Sequence, residues 1–90
     1  MSTLYKLRSN AVEWREVEGE IVALDLTSQN YLAVNKTGAT MWKLLADGAD
    51  REHLVAGILA RFDVDESQAA SDVDAYLEEL RSLDLLEAAT

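Results

Sequence analysis

The sequence predicts an α+β domain in which a three-stranded antiparallel sheet is followed by three helices. Two observations predict it. Hydrophobic periodicity changes once, near Asn35, from the two-residue repeat of strands to the three-and-four spacing of helices. Polar turn residues cut the first half into short segments, and a capping residue stands before each apolar stripe of the second.

Val12–Val17 alternates and is rich in β-formers, so it reads as the first strand. Glu18-Gly19 supplies a tight turn, with glycine free to take positive φ. Ile21–Leu26 follows, with Val22, Leu24 and Leu26 on one face, and Thr27–Asn30 makes a polar turn. Tyr31–Val34 is a short third strand, and connections this short imply a meander. Asn35 caps the first helix, whose Gly38, Met41, Trp42 and Leu45 fall on one stripe before Asp47-Gly48-Ala49 ends it. Asp50 caps the second, with Leu54, Val55, Ile58, Leu59 and Phe62 as its stripe. Asp65 and Gln68 have capping-box spacing and open the longest helix, with Ala69, Ala70, Val73, Tyr76, Leu77, Leu80 and Leu83 at helical spacing. Asp84 stands where glycine is the easier helix stop, and Leu85-Leu86 closes the chain.

Ninety residues form one domain, 1–90, and 49% apolar residues suffice for a core. The net charge of −9 lies wholly in the second half: five acids balance five bases up to residue 46, whereas twelve acids from Asp47 onward face only Arg51, Arg61 and Arg81. Such a surface repels phosphate backbones, so nucleic acid is not an expected partner. There is no cysteine, hence no disulfide and no thiolate metal site. The N-terminus lacks the apolar stretch of a signal peptide, and no run of about 18 apolar residues exists to cross a membrane. A cytoplasmic protein without membrane attachment is expected.

Catalytic chemistry is hard to assemble from these residues. His53 is the single histidine and lies in the first turn of a helix, beside Arg51 and Glu52. There is no nucleophile elbow and no glycine-rich phosphate loop. The carboxylate pairs Asp72/Asp74 and Glu78/Glu79 are neighbours that diverge around a helix. No catalytic residue, metal site or cofactor is expected.

The third strand does suggest work. Asn30, Tyr31, Leu32, Ala33 and Val34 contain neither proline nor charge, the usual protections of a sheet edge. At the edge of a meander such a strand can accept an extended peptide or a second copy of itself. The long helix supplies a second wall in this reading: small Ala69 and Ala70 leave a groove that Val73, Tyr76, Leu77 and Leu80 line. The same stripe is also what a helix facing its own core presents.

These residues resemble the PqqD-like proteins, whose domain is also called the peptide recognition element of ribosomal natural-product pathways. The resemblance runs from about Val12 to Leu86. It rests on Trp14-Arg15-Glu16-Val17, on Val22–Leu26, on Tyr31-Leu32-Ala33-Val34-Asn35-Lys36-Thr37-Gly38-Ala39 leading into Trp42 and Leu45, and on Phe62-Asp63-Val64-Asp65 with Ala70, Asp72-Val73, Leu77, Leu80 and Leu85-Leu86. Asp84 departs from the glycine usual there. The resemblance implies a winged helix-turn-helix-like domain that binds a leader peptide along Tyr31–Val34 and against Val73, Tyr76 and Leu80. It implies no catalysis and no cofactor. The implied partners are a precursor peptide and a modifying enzyme such as a leader peptidase, cyclase or radical-SAM protein, in lasso-peptide or quinone-cofactor biosynthesis. A monomer or weak homodimer is expected. Two other readings share the outline: a winged-helix DNA-binding regulator, opposed by the acids of the long helix, and a scaffold that self-associates through the same edge.

Overall fold

The computed structural model describes residues 3–89. Its first element, β1 (Leu4–Leu7), pairs antiparallel with its last, β5 (Leu86–Ala89), in the register Leu7 to Leu86. Tyr5 and Ala49 exchange backbone bonds of 2.8 and 2.9 Å, which tie β1 to the end of the first helix. This two-stranded sheet adds to the predicted three strands.

The main sheet has the order β2-β3-β4, formed by Val12–Val17, Glu20–Asp25 and Asn30–Ala33. Glu18 (φ 53°) and Gly19 (φ 81°) both take positive φ in the two-residue turn from β2 to β3, the backbone that matches strand twist. The turn from β3 to β4 is built on Asp25. Its carboxylate, almost without solvent contact, accepts the amides of Thr27 (3.0 Å) and Ser28 (3.4 Å), and its carbonyl accepts Gln29 N–H at 2.7 Å. Substituting Asp25→Ala leaves those amides without their acceptor and is expected to cost about 1–3 kcal/mol. Urea denaturation checks this as a lower midpoint with an unchanged slope.

All three predicted caps are present. Asn35 accepts Gly38 N–H at 2.8 Å before α1 (Lys36–Asp47), Asp50 accepts His53 N–H at 2.7 Å before α2 (Arg51–Arg61), and Asp65 accepts Gln68 N–H at 2.7 Å before α3 (Glu66–Ser82). The third cap is only half a capping box, because the Gln68 amide reaches forward to Asp72 at 2.8 Å rather than back. Gly48 (φ 99°) ends α1, and Asp84 (φ 59°) takes the left-handed turn after α3.

The helices cover one face of the main sheet. Ile21, Ala23 and Asp25 of β3 point into the core, with Trp42, Leu45, Leu54, Ile58, Val73 and Leu85 at its centre. The alternate residues Val22 and Leu24, and Leu26 after the strand, lie on the other, uncovered face; Val22 and Leu26 are exposed. Two stripe residues also fall outside the core. Leu59 sits at the edge of the α2 stripe and is exposed, and Leu83 has left the helix as its C-cap and is exposed as well. Arg51 grips Asp74 through two bonds of 2.7 and 3.0 Å between α2 and α3, and the guanidinium holds this carboxyl below its usual range.

Candidate functional site

Strand register decides which backbone groups are free. Val17 and Glu20 close a two-residue hairpin and therefore form a hydrogen-bonded pair. Antiparallel pairing alternates from there, so Glu20, Val22 and Leu24 direct their N–H and C=O groups to β2, and Ile21, Ala23 and Asp25 direct theirs to β4. Asn30 opposes Asp25 and Leu32 opposes Ala23, so these two are bonded within the sheet. Tyr31 and Ala33 oppose Leu24 and Val22, and their N–H and C=O groups point outward. Among the described residues β4 pairs with β3 alone, so this edge has no strand beside it.

Beyond β4 the chain passes directly into Asn35 and α1. A cleft of about 220 Å³ lies there, between the first turns of α1 and the middle of α3. Asn35, Thr37, Gly38 and Met41 line one side; Asp72, Ala75, Tyr76 and Glu79 line the other. The α3 residues stand at i, i+3, i+4 and i+7, one stripe of the helix. Gly38 is what allows the walls to approach: a Cβ there would lie 3.3 Å from Cε1 of Tyr76 and 3.1 Å from the capping Oδ1 of Asn35. The Tyr76 phenol is pushed well above its ordinary pKa, by burial first and by the Glu79 carboxylate second. Its hydroxyl, protonated like any tyrosine's at neutral pH, can act as a hydrogen-bond donor.

The structure divides the predicted site residues. Asn30, Tyr31, Leu32 and Ala33 form the edge strand and Val34 follows it, with Tyr31 strongly exposed (76%) on the uncovered face and Leu32 half-buried on the helix side. Tyr76 lines the cleft. Ala69, Val73, Leu77 and Leu80 do not form its wall: they are at most 6% exposed and pack inside the core. Their periodicity marks the face of α3 that is buried, and the accessible stripe is the adjoining one, at Asp72, Ala75, Tyr76 and Glu79. Sequence reasoning missed that stripe because it is polar apart from Ala75 and Tyr76. The nearest available signal was Gly38, a glycine inside a helix that admits another side chain.

His53 is exposed, and among the described residues no three His, Asp or Glu side chains converge as metal ligands. No described helix is long and apolar enough to cross a membrane.

Fold and site together define a winged-helix-like α+β domain with a free strand edge and, just past the end of that strand, an open cleft between α1 and α3. The chain belongs to the PqqD family: the family model of Coenzyme PQQ synthesis protein D (PqqD) matches residues 20–86. Solved structures agree. TbiB1, determined in complex with the TbiA(beta) leader peptide, is 30% identical and superposes with a TM-score of 0.82, over 94% of this chain and 98% of that one. A lasso peptide synthetase B1 complexed with its leader peptide is 22% identical, with a TM-score of 0.78 over 92% and 96% of the two chains, and shows the same fold. No curated protein sequence matches the chain.

Proposed function

We propose that this chain, residues 1–90 acting as one domain, captures the leader segment of a ribosomally made precursor peptide as an added strand on β4. It holds that segment for a modifying enzyme, such as a leader peptidase, cyclase or radical-SAM protein, and itself catalyses nothing. The observation that carries the reading is the outward-facing backbone of Tyr31 and Ala33 on an unpaired edge. The likeness to TbiB1, solved with a leader peptide, supports it. Backbone bonds to such an edge supply affinity without sequence preference, and side chains entering the cleft beside Tyr76 supply selectivity. The acidic surface of α3, with Asp72, Asp74, Glu78 and Glu79 against the single cation Arg81, argues against the DNA-binding alternative.

The test is a titration of isotopically labelled protein with the leader, about 15–25 residues long, of a precursor encoded beside its gene. Micromolar or tighter binding is expected, the range open to one added strand with a few seated side chains. The amides of Tyr31 and Ala33 are expected to shift and to gain protection from hydrogen exchange. A saturating leader that leaves these amides unmoved would refute strand addition at β4.

A further inference from the structure

The cleft that begins at Asn35, just past the end of β4, has a sign. Two carboxylates line it, Asp72 and Glu79, and no lysine or arginine does. They sit one above the other on α3, on either side of the Tyr76 ring in sequence, about two turns apart. Neither is held by a cation: among the described residues the ion pairs are Arg8–Asp84, Lys43–Glu16 and Arg51–Asp74. The Asp74 carboxylate is thus paired with Arg51 of α2, whereas neither cleft carboxylate has such a partner among the described residues. Asp72 is moreover oriented, through its bond from Gln68, and is half-buried. The start of α1 on the opposite wall offers only a partial positive charge of about +0.5, less than two full negative ones. A chain of net charge −9 reinforces the same potential at longer range.

We propose that the segment captured at this edge carries a lysine or arginine on its helix-facing side, whose cationic head lies between Asp72 and Glu79 beside the Tyr76 hydroxyl. This rests on the strand-addition reading and names the chemistry that selects among candidate strands. Alternate residues of an added strand face the helices, on the same side as half-buried Leu32, and the cleft opens at Asn35, two residues past the end of β4, within reach of a strand that continues beyond that end. The backbone bonds fix the register, and the carboxylates discriminate by charge.

The experiment selects binders from a displayed library of random peptides of about 18 residues on the intact protein. The best binder is then measured by fluorescence anisotropy at low and high salt. The expected result is enrichment of lysine or arginine at one position. Changing that residue to glutamate is expected to weaken binding at least about tenfold at low salt, and less at high salt. The Asp72→Lys/Glu79→Lys variant is expected to reverse the preference. Glu79 is exposed and Asp72 half-buried, and circular dichroism shows whether the variant is folded; Glu79→Gln, which keeps the shape, is expected to weaken binding at low salt and so lower its salt dependence. Binders that ignore charge, and bind wild type and variant equally, overturn this proposal and leave strand addition standing. A library that yields no binder overturns both.

Discussion

Replacing Ala33 with proline is expected to weaken leader binding by roughly 30- to 150-fold while leaving the domain folded. Proline removes one backbone N–H, and at Ala33 that N–H points away from β3, since its partner Val22 directs its own groups to β2. No bond inside the sheet is lost, which is the condition under which proline is tolerated in an edge strand. The residue before it, Leu32, is already extended, the conformation a following proline demands. The incoming strand suffers twice. It forfeits the hydrogen bond from Ala33 and leaves its own carbonyl facing a ring, a loss of about 2–3 kcal/mol when that carbonyl is shut off from water. Leu32→Pro is the contrasting substitution: Leu32 opposes Ala23 in a bonded pair, so proline there breaks the sheet and is expected to lower the melting temperature sharply. Anisotropy measures affinity, and thermal circular dichroism measures folding. Full affinity in a folded Ala33→Pro protein would remove the leader from this edge.

What made the edge legible in the sequence was local chemistry. Asn35, Asp50 and Asp65 each accept an orphan helix amide within three residues, and Glu18-Gly19 sets its turn without help from the rest of the fold. Asp84 announced its left-handed turn in the same way. The pairing of β1 with β5 joins Leu7 to Leu86 across nearly the whole chain, and nothing in Leu86-Glu87-Ala88-Ala89 favours a strand locally. The cleft was missed for a different reason. Apolar spacing on α3 marks what is buried, so it pointed to Ala69, Val73, Leu77 and Leu80, which meet the core. A binding face is accessible by definition and breaks the pattern that periodicity detects. Tyr76 was found because its ring belongs to both faces, half-buried against Gly38 and open to the cleft.

The second large effect is expected at Trp42, a residue outside the binding edge. Trp42 is fully buried on α1, and its ring meets Trp14 of β2 edge to face at 6.2 Å between centroids and 78° between planes. It is thus a main contact that seats the sheet on the helices, and Trp42→Ala is expected to cost about 3–5 kcal/mol. A domain of this size has about 5–13 kcal/mol in all, so the loss takes much of its stability. Loss of near-ultraviolet dichroism and a broadened or absent denaturation transition would report it. Trp42→Phe separates packing from polarity. The Nε1–H of Trp42 is buried with no partner, a penalty that phenylalanine removes while keeping most of the ring. The phenylalanine variant is therefore expected to lose less than half of what alanine loses. Leader affinity then distinguishes the two parts of the molecule. At Trp42 it is expected to fall only as far as the folded population falls, because the edge and the cleft are unaltered in each folded molecule. At Ala33 it falls with the folded population intact. A Trp42→Phe protein that is fully folded yet binds no leader would contradict that separation and place the sheet's seating on α1 within the recognition step itself.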